Sequence, residues 1–88
     1  MKLTDLCDVL DVELDLKYYP NQNGRWVAKL SHAEISEGGF LTGVHGNGKT
    51  PEEAINDYVA EIKGQRVIFN AYSDDRKEFV MPENLEGV

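Results

Sequence analysis

Eighty-eight residues, 41% hydrophobic and 28% charged, suffice for one domain with one modest core and exclude a disordered chain. No apolar run approaches the roughly 18 residues of a membrane-spanning helix. Sixteen acidic residues against nine basic ones give a formal charge of -7, which disfavours direct nucleic-acid binding and suits a basic protein partner.

The single cysteine, Cys7, leaves no internal disulfide framework and fits a reducing compartment. The opening MKLTDLCDVLDVELDL is too acidic and too interrupted for a signal peptide, so the expected location is cytoplasmic. The whole of 1–88 reads as a single domain, with its core between about 9 and 81.

Residues 3–8 read as irregular or weakly helical. Leu3, Leu6, Val9 and Leu10 make one helical turn or lead into a strand. From Leu10 the period becomes two. Leu10, Val12, Leu14, Leu16 and Tyr18 alternate with Asp11, Glu13, Asp15, Lys17 and Tyr19, the signature of a half-buried strand. Pro20 to Gly24 form a turn, and a second strand runs from Arg25 to Ser31 with Trp26, Ala28 and Leu30 inward. The pattern also predicts a register. Opposing Tyr19 to Arg25 sets Tyr18 against Trp26, Leu16 against Ala28 and Leu14 against Leu30, with Lys17 against Val27 and Asp15 against Lys29 on the other face.

HAEISEGG, 32–39, reads as a polar connection. A short strand follows from Phe40 to His45, with Phe40 and Val44 inward and Leu41 outward. GNGK at 46–49 turns the chain into its best-defined helix, Thr50 to Gly64. Thr50 is the N-cap, Pro51 fits the first turn, and Glu53 can close a capping box. Ala54, Ile55, Tyr58, Val59 and Ile62 form one apolar stripe, and Gly64 ends the helix. Arg66 to Tyr72 predicts a strand centred on Val67, Ile68 and Phe69. A turn at SDDR leads to an extended piece, Lys77 to Met81, stopped by Pro82, and the last six residues read as frayed.

The expected architecture is therefore α+β: an antiparallel sheet of three to five strands with one helix on its apolar face, in the order β-β-β-α-β plus a short C-terminal strand. Helix-facing candidates are Leu10, Val12, Leu14, Leu16, Trp26, Ala28, Leu30, Phe40 and Val44. Val27, Leu41 and Ile68 or Tyr72 fall on the opposite face, which suits self-association or edge-strand pairing in a homodimer.

No set of residues reads as catalytic, metal-binding or cofactor-binding. His32, His45, Cys7, Asp8 and Glu34 lack ligand spacing, and Cys7 has no neighbouring base. Asp11, Glu13 and Asp15 share one face of the predicted strand. They support a metal-assisted hydrolase only as an alternative to a plain solvated face. Asp74 and Asp75 are turn residues. Residues 43–50, GVHGNGKT, match the spacing of a phosphate loop, but with one helix and an antiparallel sheet they read as a strand-to-helix turn.

Tyr18 and Tyr19, Gly24-Arg25-Trp26-Val27-Ala28, Gly43 to Gly48, and Thr50-Pro51-Glu52-Glu53-Ala54 together resemble the partial ribonuclease-H-like domain of HicB-family antitoxins. The resemblance covers Tyr18 to Ile62, about half the chain. It implies a non-enzymatic, often self-associating domain that binds and masks a small basic RNA-cleaving toxin. Ser31 to Glu37 replace the family's proline- and cysteine-containing loop. With no DNA-binding module after Val88, self-repression is not expected of this sequence. Orphan domains of this kind also resemble small phage or prophage proteins of unassigned function, which is the alternative reading.

Overall fold

A computed structural model describes residues 1–88 and shows an α+β fold of two helices and seven strands. In chain order these are α1 (Leu3–Leu10), β1 (Leu14–Tyr19), β2 (Arg25–Leu30), β3 (Ala33–Glu37), β4 (Phe40–Thr42), β5 (Gly46–Gly48), α2 (Pro51–Ile62), β6 (Arg66–Phe69) and β7 (Lys77–Val80). The strands form two antiparallel sheets, ordered β1-β2-β5 and β4-β3-β6-β7.

The first hairpin follows its side-chain pattern. β1 and β2 pair as Leu14 with Leu30, Leu16 with Ala28, Tyr18 with Trp26, Asp15 with Lys29, Lys17 with Val27 and Tyr19 with Arg25, the register read from the alternation. The reversal is a 3-10 turn at Pro20–Gln22, followed by Asn23 and Gly24 with positive φ. Tyr18 and Trp26 meet at 5.2 Å between ring centroids, tilted by 50°. Their contact anchors the hairpin end.

The first strand begins later than its alternation suggests. Leu10 belongs to α1, and Asp11, with φ 55, ends that helix in a left-handed cap. The N–H groups of Asp11 and Val12 both donate to the Cys7 carbonyl. A run of alternating acids and aliphatics is ambiguous where a helix ends, because Leu3, Leu6 and Leu10 also share a helical face. Leu3 and Leu6 are buried, and that burial settles the conformation.

The segment 32–39 is not a connection. Ala33–Glu37 is β3, an interior strand of the second sheet, with Ala33 and Ile35 buried. His32 at φ 57 breaks what would be one long strand into β2 and β3. The carbonyl of His32 accepts the Asn70 N–H beyond the end of β6. Glu34 and Ser36 hide the strand character because only one face of β3 meets the core. Gly38 and Gly39, both with positive φ, form the two-residue turn to β4. Phe40 is the clearest reversal: it is 78% exposed, while Leu41 is half-buried. The sheet ends here, so nothing lies over the inner side of Phe40's position.

α2 buries Ala54, Ile55, Tyr58, Val59 and Ile62, the whole predicted stripe. The Glu53 N–H donates to Thr50 Oγ1 at 3.1 Å, and Gly64, at φ 72, follows the helix end. The helix lies over β5 and β2, and glycine makes the approach feasible. A Cβ at Gly46 would collide with the Ala54 carbonyl oxygen and the Tyr58 backbone nitrogen. One at Gly48 would come within 2.6 Å of Glu53 Cβ and the Ala54 nitrogen.

The core joins all layers. Leu3 and Leu6 of α1, Ala28 and Leu30 of β2, Ala33 and Ile35 of β3, the α2 stripe, Val67 and Phe69 of β6, Met81 and Leu85 form one cluster. Of the predicted helix-facing residues, Ala28 and Leu30 are fully buried. Leu10, Val12, Leu14, Trp26 and Val44 are partly buried, and Leu16 and Phe40 are exposed. Ile68 does lie on the opposite sheet face, yet it is fully buried, whereas Tyr72 is exposed in a turn.

The C-terminal residues are docked rather than frayed, so the core extends beyond 9–81 at both ends. Leu85 is buried, the Leu3 N–H donates to the Glu86 carbonyl, and the Glu86 N–H donates to the Met1 carbonyl. The Val88 N–H reaches Asn56 Oδ1 at 2.9 Å, which ties the tail to α2.

Candidate functional site

β1 is an edge strand of the first sheet, and the phase of its hydrogen bonds determines which residues it offers outward. The Ser31 N–H donates to the Glu13 carbonyl at 2.9 Å, in line with the β1–β2 register. Bonded pairs alternate along an antiparallel ladder, so Asp15, Lys17 and Tyr19 turn their backbone groups to β2. Leu14, Leu16 and Tyr18 turn theirs to the free edge. Leu16 is 39% exposed and Tyr18 51%, because α2 sits over β5 and β2 and leaves the inner side of β1 incompletely covered. An unpaired backbone edge thus coincides with apolar side chains, a combination open to pairing with another strand.

The outer face of the same hairpin is a shallow groove of about 290 Å³, lined by Asp15, Lys17, Tyr19, Gln22, Arg25, Val27, Lys29 and His45. Three of the chain's nine Lys and Arg residues line it with one acid, so six basic and fifteen acidic residues remain elsewhere. The only salt bridge joins Arg76 to Glu78, which leaves Lys17, Arg25 and Lys29 without a carboxylate partner within 4 Å. Arg25 lies 6.0 Å from the Tyr19 ring centroid, and its buried Nε has no hydrogen-bond partner. Asp15 instead accepts the Ser31 hydroxyl at 2.8 Å. This face can attract a carboxylate or a phosphate, while the helices present acids: Asp5 and Asp8 on α1, and Glu52, Glu53, Asp57 and Glu61 on α2.

The other sequence candidates do not converge. Asp11 sits in the α1 cap, Glu13 precedes β1, and Asp15 lies on the strand, so the three acids are not one strand face. No group of three His, Cys, Asp or Glu residues is placed to hold a metal ion. His32 lies at the kink and His45 in the basic groove, both exposed. The Cys7 thiol is half-buried, and burial, aided by the Asp8 charge, pushes its pKa up. The Asp75 carboxyl is held below its ordinary value mainly by the Ser73 hydroxyl, within a polar turn.

The phosphate-loop resemblance has a structural explanation. Backbone N–H groups do point outward from the stretch before α2, but the chain's own acids occupy them. The Asn47 N–H donates to Asp57 Oδ2 and the Lys49 N–H to Glu53 Oε2, each at 2.8 Å. Glu53 therefore caps one residue earlier than a regular capping box. Gly46 and Gly48 serve close helix packing.

The open edge was missed as a specific feature because alternation identifies a strand without saying which neighbour it lacks. The basic groove carried a signal, since Lys17, Arg25 and Lys29 fall on one face in the predicted register. Comparison with protein-family models, curated proteins and solved structures finds no match to this chain.

Proposed function

We propose that the chain is a non-enzymatic protein-binding module of the cytoplasm that self-associates and holds a small basic protein. The HicB-like features at Tyr18–Ala28 and Gly43–Ala54 suggest an RNA-cleaving toxin as that partner. The observation that carries the reading is the free β1 edge, with Leu16 and Tyr18 exposed beside unpaired backbone groups. The acids exposed on α1 and α2 supply the electrostatic attraction for a basic partner.

The test is co-expression with a small basic protein encoded beside it, followed by light scattering on the purified material. A salt-sensitive complex that blocks RNA cleavage by the partner is the expected result. A chain that stays monomeric alone, and that neither binds nor inhibits such a partner, overturns the reading.

A further inference from the structure

We propose that β1 pairs antiparallel with β1 of a second copy about Leu16, joining two three-stranded sheets into one of six strands. The inference rests on the reading of the chain as a self-associating module and specifies the surface. Only Leu14, Leu16 and Tyr18 direct backbone groups to the free edge, so a second β1 must oppose these residues with one another. Centring the two-fold axis on Leu16 does so along the strand's full length. Leu16 meets Leu16, and Leu14 meets Tyr18, at both ends of the pairing.

Charge and strand length together select this register over its neighbours. On the outer face, Asp15 of each protomer falls opposite Lys17 of the other, giving two attractive pairs. Centring on Asp15 opposes two aspartates and leaves Tyr18 without a strand partner. Centring on Lys17 opposes two lysines. Centring on Tyr18 puts Leu16 against Pro20, which has no N–H to donate. Shifts by half a step oppose outward to inward backbone groups and mix the two faces. The strand LDLKYY is thus self-complementary in backbone phase, apolar face and charge, as an isologous contact requires. The contact covers Leu16 and Tyr18, the large apolar residues that β1 leaves exposed.

A charge-swap cycle read by sedimentation across a concentration series tests this. Lys17→Asp and Asp15→Lys each place like charges opposite one another twice, and each weakens dimerisation about tenfold. The double variant D15K/K17D restores the attraction and brings the dimer constant back towards that of the parent chain. Lys17 is the cleaner single site, since its partner in β2 is Val27, whereas Asp15 also faces Lys29 and bonds Ser31. Leu16→Asp, at an exposed position, abolishes the dimer while circular dichroism shows the fold retained. A dimer indifferent to every one of these changes overturns the β1 contact but leaves self-association standing. A parent chain that is monomeric at all concentrations overturns both.

Discussion

The two sheets bury themselves differently. In the second, the interior strands β3 and β6 are pinned on their inner face by Ala33, Ile35, Val67 and Phe69, in a core shared with both helices and with Leu85 of the tail. In the first, α2 presses onto β5 and β2 through Gly46 and Gly48, while β1 keeps its edge free and Leu16 and Tyr18 in contact with water. The interior strands of one sheet are fixed by long-range packing, although its edges at Phe40 and Val80 stay exposed, and the other sheet is covered only over β2 and β5. An incompletely covered strand edge with apolar side chains beside it is where a partner can add burial and hydrogen bonds together.

This contrast can be broken experimentally. The largest effect is expected at the glycine approach in the first sheet. Gly46→Val forces a side chain into the α2 backbone and should cost about 3 kcal/mol in urea unfolding. An unchanged midpoint would mean that α2 does not sit against β5. In the second sheet's layer, Leu85→Ala removes a buried side chain that ties the tail to the core, for an expected loss of about 2 kcal/mol. A loss near zero would return the tail to a frayed end.

Next comes the start of α2. Thr50→Ala removes the hydroxyl that accepts the Glu53 N–H and should cost about 1 kcal/mol, measured as a shift in the same midpoint. Alkaline titration gives a directional effect. Burial raises the Cys7 pKa above the ordinary 9.0, and it also raises that of Tyr58 above 10.0, although hydrogen bonding with the Leu30 backbone pulls the phenol the other way. Both groups hold their protons longer in the native chain than in the unfolded one. Their stabilisation is therefore full below the ordinary values and is lost as pH rises through the native ones. The unfolding midpoint should hold until about pH 9 and then fall, and Tyr58→Phe should flatten that fall. A midpoint that rose with alkali would contradict the burial of both groups. The smallest effect is expected at Phe40. Phe40→Ser, at an exposed sheet end, should change stability by no more than about 0.5 kcal/mol. A loss of several kcal/mol would put Phe40 back in the core and close the second sheet further.

Legibility divided along the same line. The first hairpin's register and the α2 stripe could be read because strict alternation and an apolar repeat bounded by Thr50-Pro51 and Gly64 are local signals. β3 could not be recognised, because AEISE offers two apolar side chains and its partners, β4 and β6, come later in the chain. α1 was obscured because Leu10 and Val12 fit a strand period as well as the end of a helix. Of the candidate site, the cationic face of Lys17, Arg25 and Lys29 was implicit in the predicted register. The free edge was not, since it depends on which strands assemble beside which.

The sequence by itself determined what short-range physics decides: the α+β class, the β1–β2 register, the position, cap and buried stripe of α2, and the acid excess. Tertiary structure alone decided the split into two sheets at His32, the exposure of Phe40, the burial of Leu85 and the open edge at Leu16 and Tyr18. Each of these depends on which surface arrives from elsewhere in the chain, and a residue's own type and neighbours do not encode that arrival.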